Sequence, residues 1–282
     1  MLKCENPRCS RRPGPLRTLL EPSRGVLLQR QWLCSPGCLD QVLETLLSRL
    51  IASALADRGT RAHRFPLGLI LLSLGWINRQ ALQSALEAQR DAGKGRVGDW
   101  LRRHGVVTEL QVTQALAMQW SLPIYPLEIW DTNLNWIRLV PFALLETFHM
   151  LPIYCTPAVG LLHVAFSSQV DYTALYAIEQ MLDCRTKPCV AQESLLEKVL
   201  ERLHSQYGSL DAPIEAPVEP SVISQTTVEQ ALRFRAEEVR VVGCSGNIWV
   251  RFRSPEGPHD LLFRCTRDDS PPRAECSRVP AN

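Results

Sequence analysis

Four cysteines near the N-terminus have the residue type and the spacing of a metal site. Four residues separate Cys4 from Cys9, three separate Cys34 from Cys38, and 24 residues lie between the two pairs. Zinc prefers four soft ligands in a tetrahedron, and two close cysteine pairs can each supply two of them. We therefore predict a structural zinc site at these four residues, with unligated thiols as the alternative.

The second cysteine pair lies in WLCSPGCLDQVLETLL, where a Cys-Ser-x-x-Cys pattern opens a predicted helix from Leu39 to about Asp57. This arrangement resembles the last knuckle of a treble-clef or TRASH-like zinc finger. The resemblance implies that the metal stabilises a small N-terminal lobe.

The sequence contains no motif for cysteine catalysis or for P-loop ATP hydrolysis. A catalytic cysteine would need a partner such as His149 or His163, and no local motif places one beside it. The sequence contains no G-x-x-x-x-G-K-[ST] pattern, which ATP hydrolysis of the P-loop type requires. We therefore predict a protein that is not an enzyme. The remaining cysteines are predicted to be buried thiols: Cys155, Cys184, Cys189, Cys244, Cys265 and Cys276.

Composition and charge are those of an ordinary globular chain with one basic end. The 282 residues are 45% hydrophobic, enough for roughly two domains. Residues 1–65 hold 11 Lys and Arg against 5 Asp and Glu, a net charge of +6. A basic lobe with zinc leaves a nucleic-acid-binding regulator as the alternative function. No membrane span or secretory signal is visible, so a cytoplasmic location with reduced thiols is expected.

An internal repeat occupies the middle of the chain. The segment PLGLILLSLGWINRQALQSALEAQ, residues 66–89, aligns without a gap to RVGDWLRRHGVVTELQVTQALAMQ, residues 96–119. Each copy predicts a short helix, a left-handed glycine turn at Gly75 or Gly105, and a longer helix capped by Asn78 or Thr108. The period of 30 residues indicates two related helical pairs packed together.

The doubled pattern R-L-G-x-x-L-L-x-x-G-L-L-x4-L-x3-L-x2-Q resembles the MshEN-type domain. That domain is the N-terminal module of ATPases that drive type II secretion and type IV pilus assembly. The stretches LPIYPLEIWDTNLNWIRLVPFALLETFHMLPIY and GLLHVAFSSQVDYTAL also resemble the family's α/β half. The resemblance covers about residues 64–208. It implies a regulatory or adaptor protein whose partner is a protein or ATPase of a secretion or pilus machine.

In some members of this family the paired motifs bind cyclic di-GMP, so the resemblance implies a ligand site at the matching positions. An arginine and a glycine at a helix start would hold a phosphate, apolar residues would cover the bases, and a glutamine would bind a ligand edge. Pro66 replaces the first motif's arginine, which removes a charge and a backbone donor. The positions are Leu67, Gly68, Leu71, Leu72, Gly75, Leu82, Leu86 and Gln89 in the first copy, and Arg96, Val97, Gly98, Leu101, Gly105, Val112, Leu116 and Gln119 in the second.

The predicted fold class is α+β, with the tandem helical repeat packed on a small α/β half. A zinc-binding lobe at 1–63 is expected in front of the MshEN-like domain at 64–208. An acidic, proline-rich linker at 209–227 is expected to lead into a small αβ unit at 228–265 and a mobile tail at 266–282. Strands are predicted at 151–154, 161–166 and 186–191, and again at 239–242, 248–252 and 261–265.

Overall fold

The protein has an α+β fold, as predicted. The structure, a computed structural model, describes residues 3–9, 25–56, 64–127, 134–207, 214–216 and 219–265. Three hydrophobic cores hold these residues together, one each in the helical repeat, the α/β half and a six-stranded sheet unit. Within the described ranges, no helix combines the length and the apolar character needed to cross a bilayer.

The repeat forms four helices, two in each copy. They are α2 (Leu67–Ser73), α3 (Arg79–Ala92), α4 (Val97–Arg103) and α5 (Glu109–Trp120). Gly75 and Gly105 have φ values of +69° and +67°, so the predicted left-handed turns are confirmed. Thr108 and Gln111 form the expected capping box, and the Asn78 side chain accepts from the N–H of Ala81. The helices exchange partners between copies, because α2 contacts α5 and α3 contacts α4.

The α/β half follows the repeat along the chain. Its helices are α6 (Leu134–Ile137), α7 (Phe142–Phe148), α8 (Tyr172–Leu182) and α9 (Glu193–Tyr207). Its strands β3 (Met150–Thr156), β4 (Leu161–Phe166) and β5 (Arg185–Val190) pair in the order β3-β4-β5. The strand that contains Pro188 therefore lies at the end of this order, as expected for a residue without a backbone donor.

A second sheet has six strands in the order β2-β1-β7-β8-β9-β6. It joins the two ends of the chain, because β1 (Val26–Leu28) pairs in parallel with β7 (Glu238–Cys244). The other strands are β2 (Gln31–Leu33), β6 (Ile214–Ala216), β8 (Asn247–Ser254) and β9 (Gly257–Cys265). Two helices, α1 (Pro36–Ala56) and α10 (Pro220–Arg233), contact each other extensively.

Both faces of this sheet are covered. Side chains alternate along a strand, so neighbouring residues enter different cores. Val241 and Val250 belong to the core that contains residues of α1 and α10. Val242 and Trp249 belong instead to the core of the α/β half. The sheet is therefore the layer that connects the N-terminal segment to the MshEN-like region.

The structure corrects the prediction in three places. The predicted linker at 209–227 contains β6 and the first two turns of α10, where Ile223 and Ser224 are fully buried. The αβ unit predicted at 228–265 begins earlier, with helix α10 at Pro220. Proline suits the first helical turn because its missing N–H needs no partner there. The N-terminal lobe and the C-terminal β unit share one sheet and one core instead of lying apart. The predicted tail at 266–282 lies outside the described residues.

Candidate functional site

The four predicted zinc ligands converge. The sulfur atoms of Cys4, Cys9, Cys34 and Cys38 all lie within 4.8 Å of one another. The distances from Cys34 Sγ to Cys9 Sγ and Cys38 Sγ are 3.6 and 3.8 Å. Four Zn–S bonds of about 2.3 Å in a tetrahedron separate the sulfurs by about 3.8 Å. The four sulfur atoms are therefore spaced closely enough to bind one zinc ion.

Local hydrogen bonds position the cysteines from both sides. The loop before Cys9 turns at Asn6, whose side-chain oxygen accepts from Arg8 N and whose carbonyl accepts from Cys9 N. Asn6 is 5% exposed, and its amide donates to Gln41 on α1. On the other side, the Ser35 hydroxyl accepts from Cys38 N at 3.2 Å and so caps the first turn of α1. These hydrogen bonds therefore contribute to the positions of both cysteine pairs.

The thiols of the cluster differ in acidity. Burial, reinforced by the neighbouring thiols of Cys9 and Cys4, raises the pKa of Cys34 to about 12. Burial acts in the same direction on Cys38, but hydrogen bonds from Ser35 and Asn6 outweigh it and lower its pKa to about 7. Metal binding requires thiolates, so the lowered pKa of Cys38 favours its role as a ligand.

The second candidate site is the repeat, where the two motif glutamines make equivalent bonds. Gln89 Nε2 donates to the carbonyl oxygen of Gly95, and Gln119 Nε2 donates to that of Phe65, each at 2.7 Å. Both the donors and the acceptors are 30 residues apart in the sequence. Each copy's glutamine therefore binds the residue just before the other copy's motif. The two bonds are equivalent, as in an approximate two-fold arrangement of the copies.

Several predicted ligand residues are packing residues in the structure. Leu71 and Leu101 are fully buried, and Gly68 and Gly98 are buried beneath the second helix of their own copies. A Cβ atom on Gly68 would lie 2.6 Å from Leu82 Cδ1, so this glycine allows the two helices to approach closely. The partly buried residues that contact the same core are Leu67, Leu72, Leu82, Val97 and Val112.

Other predicted positions lie at the surface. Leu86 is 41% exposed, Leu116 and the two glutamines are half-buried, and Gly75 and Gly105 are exposed at their turns. Pro66 directly precedes α2, as the alignment predicts. The guanidinium of Arg64, two residues before Pro66, stacks on the ring of Trp120.

Arg96, the remaining motif arginine, already has a partner. Its guanidinium lies 3.2 Å from a carboxylate oxygen of Glu193, the first residue of α9. The main-chain N–H of Arg96 donates to the Asp99 carboxylate at 3.2 Å. Arg102 lies 3.5 Å from the second Glu193 oxygen and 3.6 Å from Glu109. Sequence reasoning missed Glu109 and Glu193, because no local signal indicates that these two carboxylates come together at Arg102 in the folded protein.

An open cavity of about 730 Å³ lies beside the repeat. Its wall includes Met118 and Ile124, which are 55% and 39% exposed. The cavity lies between the turn after α2 and the C-terminal end of α5. Its lining is Trp76, Gln114, Ala117, Met118, Ser121, Leu122 and Ile124.

The sequence is similar to two curated pilus motors, although no family profile matches it. It is 24% identical over 213 residues to the type IV pilus assembly ATPase PilB of Thermus thermophilus, covering 70% of this chain and 23% of that protein. It is 27% identical over 142 residues to PilB of Myxococcus xanthus, covering 50% and 25%. The chain therefore spans about a quarter of the length of these relatives. The predicted resemblance to pilus assembly ATPases is confirmed.

Two solved structures are also similar to this chain. One, of MshE with cdg, is 28% identical, with a TM-score of 0.42, and covers 49% of this chain and 99% of the other. The N-terminal domain of XpsE is 20% identical, with a TM-score of 0.34, and covers 48% and 92%.

Proposed function

We propose that this chain is a regulatory or adaptor module of a type IV pilus or type II secretion machine, that its repeat binds cyclic di-GMP, and that its four cysteines hold zinc. The observation that carries the proposal is the reciprocal pair of bonds from Gln89 and Gln119, because it preserves both copies of the motif in one symmetric arrangement. Through these bonds each glutamine keeps the start of the other copy's motif in an equivalent position.

The role in a pilus or secretion machine is supported by the two PilB relatives. The sequence given contains no P-loop motif, so the role proposed for these residues is binding and not ATP hydrolysis. The partner would be a protein or an ATPase of the same machine. Binding of the purified chain to a PilB-type ATPase, measured by biolayer interferometry, tests this part of the proposal.

Cyclic di-GMP is proposed as the ligand because the paired motifs match those of the MshEN-type domain, and the similar MshE structure is one with cdg. The binding would depend chiefly on the second copy. Arg96 is 55% exposed and charged, whereas its counterpart Pro66 offers neither a charge nor an N–H. The exposed Leu86 and the half-buried Leu116 would offer apolar contact to the bases.

Zinc is proposed for Cys4, Cys9, Cys34 and Cys38 because the donor set is four soft thiols at tetrahedral spacing. When bound, the ion would supply structural cross-linking and no catalysis, since all four positions of its coordination sphere would be protein ligands. The alternative of a basic, nucleic-acid-binding zinc lobe depends on arginines between residues 10 and 24, which lie outside the described residues.

Calorimetric titration of three proteins with cyclic di-GMP tests the ligand. We expect weak binding by the wild type, a loss of about 1.5–3 kcal/mol for Arg96→Ala, the range of a charge-assisted hydrogen bond, and tighter binding for Pro66→Arg. Circular dichroism should show that all three proteins are folded. If all three are silent at millimolar ligand, nucleotide binding is wrong and only the adaptor role remains.

A further inference from the structure

Two arginines of the second repeat copy converge on one carboxylate of the α/β half. Arg96 Nη2 lies 3.2 Å from Oε1 of Glu193, and Arg102 Nη1 lies 3.5 Å from Oε2. Each guanidinium therefore faces a different oxygen of the same anion. The Glu193 side chain is 20% exposed, whereas Arg96 and Arg102 are 55% and 34% exposed. The carboxylate is thus the inner member of the cluster, and the cations lie between it and the solvent.

The same cluster fixes the beginning of α9. The carboxylate of Glu109, the first residue of α5, accepts from both the N–H and the hydroxyl of Ser194, at 2.7 and 2.8 Å. Arg102 lies 3.6 Å from this carboxylate, so it connects Glu109 with Glu193. The second repeat copy is therefore attached to the first turn of α9 through these hydrogen bonds and ion pairs.

This charge cluster belongs to one copy of the repeat. The residues 30 positions before Arg96, Arg102 and Glu109 are Pro66, Leu72 and Arg79. The first copy folds into the same pair of helices without an arginine at either of the first two positions. Packing of the repeat therefore does not require two arginines at one anion.

The surroundings of Glu193, apart from the two arginines, disfavour a charged carboxylate. Burial raises the pKa of Glu193, and the nearby charges of Asp99 and Glu197 act in the same direction, whereas Arg96 and Arg102 oppose them. A half-buried anion of this kind is kept in place by its two cations. Another anion that offers more oxygen acceptors to both guanidinium groups can compete for the same place.

We propose that Arg96 and Arg102 form a two-arginine site for a phosphate oxyanion, and that Glu193 is its internal occupant, which a phosphate-bearing ligand must displace. This inference deepens the proposed function and rests on it where it names cyclic di-GMP as that ligand. It adds Arg102 as a phosphate-binding residue and Glu193 as the residue that sets the affinity. Displacement of Glu193 breaks the ion pairs that attach the start of α9 to the repeat. Ligand binding therefore loosens one contact between the repeat and the α/β half.

The test compares Glu193→Gln with Glu197→Gln, using inorganic pyrophosphate and cyclic di-GMP as separate probes in calorimetry. Both variants remove one negative charge from α9, but only Glu193 contacts the arginines. We expect Glu193→Gln to bind each probe roughly three- to tenfold more tightly, the size of a partly exposed ion pair, and Glu197→Gln to change less than about twofold. Adding Arg102→Ala to Glu193→Gln should remove the gain.

The two probes separate the inference from the proposed function. If the wild type binds cyclic di-GMP and Glu193→Gln binds neither probe more tightly, the inference is wrong and the function stands. If Glu193→Gln gains pyrophosphate binding through Arg102 and no protein binds cyclic di-GMP, the inference stands and the nucleotide ligand is wrong. If no variant binds either probe, both the two-arginine site and cyclic di-GMP binding are wrong. Glu193→Ala, checked by thermal unfolding, serves as the second variant if the glutamine protein is unstable.

Discussion

The main-chain N–H of Leu27 donates a 2.9 Å hydrogen bond to the carbonyl oxygen of Glu237, a residue 210 positions further along the chain. This bond belongs to the parallel pairing of β1 with β7. We therefore expect the N-terminal ribbon, formed by β1 and β2, to unfold together with the C-terminal strands of the same sheet. A change in the ribbon should be felt in strands that the sequence places at the other end of the chain.

Leu28→Ala tests this shared unit. Leu28 is 1% exposed in β1, and loss of its buried side chain should cost about 2–5 kcal/mol of unfolding free energy. Hydrogen exchange should accelerate at Val239 and Val241 of β7 as well as in the ribbon. The exposed Gln31 in β2 provides a control, because Gln31→Ala should change stability by less than about 0.5 kcal/mol. Faster exchange confined to residues 25–33 would mean that the two ends fold independently.

A metal prediction follows from the cysteine cluster. Purified protein should contain about one zinc per chain, and removal of zinc by a chelator should increase hydrogen exchange in β1, β2 and the first turns of α1. Cys34→Ser should lower the zinc content, whereas Cys155→Ser should not, since Cys155 lies on β3 outside the cluster. Stoichiometric zinc in Cys34→Ser would assign the metal to other residues.

Gly68 supplies a test of the repeat's packing. An alanine Cβ there would lie 2.6 Å from Leu82 Cδ1, so Gly68→Ala should destabilise the protein by about 1–2 kcal/mol as Leu82 is forced to move. In a Leu82→Ala background the contact is gone, and the same change should become neutral or stabilising. Gly37→Ala in α1 is the matched control, because its Cβ would meet nothing within 4 Å. Urea denaturation of the wild type, the three single variants and the double variant measures these differences.

Local patterns predicted much of this fold. The capping residues Asn78 and Thr108 mark where α3 and α5 begin, and the strand predicted at 161–166 has those limits in the structure. The four-cysteine cluster was also evident from spacing alone. Strands β1 and β2 were not predicted, because three-residue strands have too little pattern and depend on pairing with β7. The same limit applies to Glu193, whose role depends on arginines almost a hundred residues away.

A pH prediction concerns Asp183, which ends α8. Its hydrogen bond with Arg240 and the charges of Arg240 and Arg30 lower the pKa of this carboxyl, despite an opposing effect of burial. A lowered folded-state pKa stabilises the protein above the unfolded value of about 3.9, and that stability disappears as the pH falls through the folded pKa. Asp183→Asn should therefore be less stable than the wild type at pH 7, and the difference should shrink below about pH 4. A difference that is constant between pH 7 and pH 3.5 would contradict this assignment.

The two arginines that bind Asp183 allow a final comparison, because both lie 2.6 Å from the carboxylate but differ in burial. The Arg30 side chain is 73% exposed and that of Arg240 is 11% exposed. Arg240 also donates to the carbonyl oxygens of Gln180 and Met181 and pairs with the buried Glu238, so it connects the six-stranded sheet to the end of α8.

We expect Arg30→Gln to cost less than about 1 kcal/mol of unfolding free energy, as is usual for exposed ion pairs that water screens. Arg240→Gln should cost about 3–5 kcal/mol, because it leaves the Glu238 carboxylate buried beside a weaker partner. Urea denaturation gives both values, and hydrogen exchange at the end of α8 should accelerate only in Arg240→Gln. Equal losses in the two variants would mean that the connection between sheet and helix depends on charge alone and not on the buried contacts of Arg240.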